Sequence, residues 1–149
     1  MLVRAMKIPN ILFALVLISP LTSCDQTDEG SSRNETMLYE LQFINAGMSG
    51  LIIQKEDLDF NEFFEFSPDS TFIKRRVYAD SSSIAKGVYS LAKSEDRDFF
   101  ELHYQMESYL IQNCERSLIE RVSILNGKEI FNGSYMPCDG PGYGYQLVD

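Results

Sequence analysis

One histidine, His103, and three cysteines, Cys24, Cys114 and Cys138, are the residues of this 149-residue chain whose types best suit covalent or acid–base chemistry. His103 stands in "FFELHYQ" with no serine or cysteine motif beside it, so no nucleophile–base pair can be argued. Alternation places it opposite Phe100 and Leu102, as an exposed structural residue. "EDLDFNE" sets Asp57, Asp59 and Asn61 at alternate positions, as calcium loops do. Glu62 stands where such a loop needs glycine and Pro68 where it needs glutamate, which excludes an EF-hand and leaves a solvated acidic loop, with a weak, irregular calcium site as the alternative. The basic trio Lys74, Arg75 and Arg76 reads as the charged face of a strand, with an anion site as the alternative. With acids scattered along the chain, no carboxylate pair stands out for glycoside chemistry. The residues thus point to no catalytic group, no metal and no cofactor, and to a non-enzymatic protein.

Cys24 asks for a different chemistry. Arg4 and Lys7 precede the unbroken apolar run "ILFALVLI", and Pro20 and "LTS" follow it. A basic start, a short apolar stretch and small residues before a cut site describe a secretory signal peptide over residues 1–23. The run is too short to span a bilayer, which takes roughly 20 apolar residues. Leu21-Thr22-Ser23-Cys24 resembles the lipobox of bacterial lipoproteins. The resemblance implies cleavage before Cys24, a diacylglyceryl thioether on its sulfur and acylation of the new amine. Two or more chains anchor firmly where one is marginal, so the lipid bilayer is the first expected partner. "DQTDEGSSRNET" then holds no aliphatic or aromatic residue, and residues 24–36 read as a flexible acidic tether. Asp25 after the cysteine resembles the inner-membrane retention signal of enterobacterial lipoproteins. The short acidic stretch also resembles the surface-export signal of Bacteroidetes lipoproteins, and the C-terminal resemblance below favours the latter.

Export changes the reading of the other two cysteines. In an oxidising compartment Cys114 and Cys138 read as a disulfide. A thiolate metal site takes about four ligands, and only His103 remains to join them. Removal of Arg4 and Lys7 takes the formal charge from -9 to -11. Such a surface argues against nucleic acid and anionic lipid headgroups, and steers basic partners.

The elements that position these residues are short and alternating. "MLYELQFI" sets Tyr39, Leu41 and Phe43 on an apolar face. "FFEF", the turn "SPDS" and the strand 71–78 form a hairpin. "IAKGVYSLA", "FFELHYQ", 118–125, the turn "NGK" and "EIF" continue the pattern, and Tyr143, Tyr145 and Leu147 alternate to the end. About eight or nine strands spaced by turns read as an all-β antiparallel barrel or sandwich over residues 37–149, and a barrel removes both sheet edges.

"FEFSPDSTF", "KGVYSL", Cys114 and the terminal "CDGPGYGYQL" resemble the small lipocalin-like lipoproteins of Bacteroidetes, over most of residues 60–148. The aromatic residue, often Trp, that usually starts the first strand is absent here, and Tyr39 or Phe43 must serve. The resemblance implies a lipocalin-like β-barrel of about eight strands in the bacterial cell envelope, lipid-anchored at the outer membrane. It names no ligand. Phe64, Phe66, Tyr89, Phe100, Leu102, Tyr104, Tyr143 and Tyr145 are the candidates to line the barrel interior around a small apolar or amphipathic ligand. The alternatives are an inhibitor or immunity-type lipoprotein acting on a basic enzyme such as lysozyme, and an accessory subunit of an envelope complex.

Overall fold

The computed structural model describes residues 35–94 and 96–149. The expected signal peptide, Cys24 and all but the last two residues of the expected tether lie outside the described residues. Nine strands follow in order: β1 (Met37–Asn45), β2 (Ile52–Gln54), β3 (Phe60–Phe66), β4 (Thr71–Tyr78), β5 (Ser82–Lys93), β6 (Asp98–Tyr104), β7 (Ile119–Ile124), β8 (Glu129–Asn132) and β9 (Gly142–Leu147). From β3 to β9 each strand pairs antiparallel with the next, and β9 pairs with β1. The result is a closed antiparallel barrel of eight strands, consistent with a lipocalin-like barrel. The ninth strand, β2, pairs with the second half of β1, while β3 pairs with its first half.

Period-two alternation decides what enters the interior. Inward cross-strand pairs run Phe66–Phe72, Phe64–Lys74 and Glu62–Arg76 between β3 and β4. They continue as Leu102–Glu120 and Phe100–Val122 between β6 and β7. Gly87 lies on the inward face of β5 opposite Phe72, and a Cβ there would collide with the His103 carbonyl oxygen and stand 2.7 Å from the Phe72 ring. Its bare backbone is what lets the phenylalanine lie down across the barrel.

Two expectations change here. The apolar face of β1 was expected to be Tyr39, Leu41 and Phe43. Tyr39 and Leu41 are buried, but the register against β9 shifts between Leu41 and Phe43. A bulge of this kind reverses alternation. Ile44 therefore enters the core, and Phe43 lies outside over Gly144, stacked on Phe131 at 6.4 Å. Nor is the basic trio one charged face. Alternation from Phe72 carries Lys74 and Arg76 inward, Lys74 to complete burial, and leaves only Arg75 outside.

The two ends of the barrel differ. One end carries the tight turns around Ser67–Ser70, Ser94–Arg97 and Asn126–Lys128, together with the start of β1 and the end of β9. The other carries the β1–β2 connection, the β6–β7 loop (105–118) and the β8–β9 loop (133–141).

Candidate functional site

All eight side chains expected to line the interior belong to inward-facing positions. Tyr89 is half-buried and the other seven are buried. They pack on one another: Phe66 stacks on Phe100 at 4.4 Å, Phe64 meets Tyr145 edge-on at 5.0 Å, and Tyr104 meets Phe72 edge-on at 4.9 Å. Phe64, Phe66 and Leu102 have 0% exposure. A water-sized void would leave accessible surface on its walls, so these walls face other atoms. The space expected for a ligand is taken by the side chains themselves.

Toward the loop-bearing end the aromatic packing gives way to charge. Glu62, Lys74 and Glu120 are all buried. The Lys74 ammonium donates to the Leu110 carbonyl at 2.7 Å and to Gln112 Oε1 at 3.3 Å. Glu120 Oε1 lies 3.5 Å and Glu62 Oε1 3.8 Å from the same nitrogen, and the Phe64 ring centroid 4.9 Å. Glu62 also accepts from Arg76 Nε at 2.6 Å and from the Tyr145 hydroxyl at 2.6 Å. Glu120 accepts from the Tyr104 hydroxyl at 2.5 Å and from the Gln112 backbone N–H. Two cations meet two carboxylates, so the network is neutral. Each buried ion would otherwise cost several kcal/mol in lost hydration. Burial, and then the carboxylate each one touches, pushes Tyr104 and Tyr145 well above the ordinary phenol value. Burial opposes the charge on Arg76, but Glu62 together with Tyr78 and Tyr143 outweighs it and raises the guanidinium above its ordinary value.

The network is roofed by the β6–β7 loop. Leu110 has 0% exposure and sits as a stopper in the barrel, with Gln112 beside it on Lys74. Asn113 turns the chain back by donating to the Ser117 carbonyl at 2.8 Å and the Ile119 carbonyl at 2.6 Å. The disulfide Cys114–Cys138, with Cα atoms 5.8 Å apart, ties this loop to the β8–β9 loop. Gly47 in turn fits against the carbonyls of Asp139 and Gly140. Three connections at one end are thus joined by a covalent bond and close backbone packing.

Above this roof opens a cleft of about 750 Å³, with Arg76 and Tyr143 on its floor and Tyr109, Ile111, Arg116 and Tyr135 among its walls. The Arg76 guanidinium carbon stands 4.1 Å from the Phe60 ring centroid and 6.0 Å from that of Tyr109. Tyr78 and Tyr143 lie close enough to act on its charge, yet among the described residues its buried Nη2 has no hydrogen-bond partner. Tyr109 is 60% exposed, and Met106, Leu118, Tyr135 and Met136 are exposed on the same loops.

His103 lies outside on β6, with Nε2 3.1 Å from Glu101 Oε1, and Glu101 Oε2 accepts from Arg121 Nε at 3.0 Å. Among the described residues no hydroxyl or thiol hydrogen-bonds to this surface trio. Asp57 closes the 3-10 turn Lys55–Asp57, and Glu62, five residues on, points into the barrel. Among the described residues no group of three or more His, Cys, Asp or Glu side chains is placed to hold a metal ion.

Sequence reasoning missed Glu62, Lys74, Arg76, Glu120 and the stopper Leu110. Four of these were within reach of parity: Glu62 is two residues from Phe64, Lys74 two from Phe72, Arg76 two further on, and Glu120 two from Val122. Leu110 carries no such signal, because its loop has no period. Compared with known proteins, the chain matches no family model, no curated protein and no solved structure.

Proposed function

We propose that this chain is a non-enzymatic binding module of the bacterial cell envelope, lipid-anchored through Cys24 at the outer membrane, and that it takes a small amphipathic ligand in the cleft at its loop-bearing end. The observation that carries this reading is the pairing of a packed interior with an open cleft directly above it. A packed barrel under stapled loops is a rigid support, and rigid walls spare a ligand the cost of ordering its site. Polar groups on the floor and tyrosines on the walls suit a molecule with one polar and one apolar end. The chain enters β1 at the turn-bearing end, and the cleft lies among the loops of the other. Titration with a fluorescent fatty acid tests the proposal. Displaceable binding that Tyr109→Ala weakens supports it, and absence of displaceable binding overturns it.

A second reading has its own support. Met106, Tyr109, Leu118, Tyr135 and Met136 expose apolar surface around the cleft, and Glu107, Glu115 and Asp139 stand exposed among them. Exposed apolar side chains with acidic neighbours suit a basic protein such as lysozyme, steered by the net charge of -11 on the cleaved chain. An inhibition assay at low and high salt separates the two: inhibition strongest at low salt favours the protein partner, and none at low salt removes it.

A further inference from the structure

Resting on the cleft reading above, we propose that the cleft selects amphipathic acids, holding a carboxylate with Arg76 and Arg116 and the apolar body against Tyr109 and Tyr135. The whole chain carries -9, yet two arginines and one glutamate, Glu107, line this cleft. Arg76 is balanced from beneath by Glu62 and Arg116 is offset by Glu107, so the lining is close to neutral on an acidic protein, and an acid arriving there meets two guanidinium groups at close range.

Arg76 is the anchor of the argument. Its Nε is taken by Glu62, and that carboxylate is shared with Lys74 and the Tyr145 hydroxyl. Among the described residues its buried Nη2 has no hydrogen-bond partner, although the Tyr78 and Tyr143 hydroxyls lie near enough to act on the guanidinium. Buried donors in folded proteins are nearly always paired, so an unpaired one on a charged group at a cleft floor points to an acceptor that arrives from outside. The guanidinium carbon lies over the Phe60 ring at 4.1 Å from its centroid, a cation–π contact that helps hold the group in place for a carboxylate. Arg116 lines the same cleft from the β6–β7 loop, with φ at 53°. A left-handed backbone at a residue other than glycine, asparagine or aspartate is uncommon and marks a position held by its surroundings. Its loop is the one that Cys114–Cys138 secures two residues earlier. Tyr109 and Tyr135 supply flat apolar faces with polar tips, suited to a ring or a short acyl chain.

The test is calorimetric titration of the full chain with 4-phenylbutyrate and with its neutral counterpart 4-phenylbutanol. The acid is expected to bind about tenfold more tightly than the alcohol, as charge-assisted pairing implies. Arg116→Asn tolerates the left-handed backbone while removing the charge. It should cut the preference to about threefold without changing alcohol binding, and Arg76→Gln should reduce it further. Arg121→Gln on the outer wall should leave the preference intact. Equal binding of acid and alcohol, weakened by Tyr109→Ala, overturns acid selection while cleft binding stands. An acid preference that survives Arg116→Asn and Arg76→Gln together also overturns it. Failure of both probes to bind removes the cleft reading along with this one.

Discussion

Lys74 Nζ, inside the barrel on β4, donates a 2.7 Å hydrogen bond to the carbonyl oxygen of Leu110, the residue that stoppers the barrel 36 positions later in the chain. This contact joins wall to roof. A lysine here does what an apolar residue could not: with Arg76 it balances two carboxylates, and it anchors a loop by its backbone.

Loss of that ammonium should be severe. Lys74→Met removes the cation that lies 3.5 Å from Glu120 and 3.8 Å from Glu62, leaving Glu62 to Arg76 alone, and leaves an acceptor on the roof without a donor. Breaking a buried ion network from one side costs about 3–5 kcal/mol. Urea unfolding should show a loss of that size. A change below about 1 kcal/mol would mean that Lys74 does not hold the carboxylates.

The disulfide should act locally as well as globally. Cys114→Ser with Cys138→Ser releases a loop closed across 24 residues, and the chain-entropy account gives a loss of about 3.5 kcal/mol. Hydrogen exchange should quicken at Ile111 and Gln112 more than at Phe64 or Lys74. Uniform quickening would show that the bond supports the whole barrel rather than its roof.

Alkali should unfold the protein from the inside. Tyr104 and Tyr145 are pushed well above the ordinary phenol value of 10.0, and Tyr143 is raised as well, burial being the first cause in each. A folded-state value above the unfolded one gives stability that is complete below about pH 10 and lost as pH rises toward the folded value. In that range the unfolded chain holds fewer protons than the folded one, so stability falls by about 1.4 kcal/mol per pH unit for each such tyrosine. Tyr104→Phe should flatten this decline above pH 10. Absorbance at 295 nm would contradict the expectation if all tyrosines ionised together near pH 10 in the folded protein.

Two glycines should respond in opposite ways. Gly87→Ala puts a Cβ against the His103 carbonyl and the Phe72 ring, and overpacking of this kind costs about 3 kcal/mol. A Cβ on Gly127 meets nothing within 4 Å, and Gly127→Ala should stay within about 0.5 kcal/mol of the parent. Thermal unfolding of the pair checks the fit of Phe72 across the barrel.

The barrel was legible because its strands alternate and its turns are chemically marked. Ser67–Ser70 and Asn126–Lys128 sit where their residue types placed them, and Cys114 bonds to Cys138. Parity failed at two places for different reasons. At Phe43 a bulge, set by the pairing with β9, reversed the alternation, and nothing local announces it. At Lys74 and Arg76 alternation held, but charge type was allowed to override it. A strand does not turn over for a lysine when Phe72 and its neighbours bury the same face. The roof was illegible because residues 105–118 are aperiodic, and their place is fixed by distant partners, Lys74, Glu120 and Cys138.

The most direct measurement of where this protein binds is an amide and side-chain NMR titration with a medium-chain fatty acid such as decanoate. The expected result is shifts confined to the cleft, at Tyr109, Ile111, Arg116, Tyr135 and Tyr143, with Phe64, Phe66 and Leu102 unmoved. Shifts centred on those three interior residues would show that the core parts to admit a guest, and would contradict a ligand held above a packed barrel.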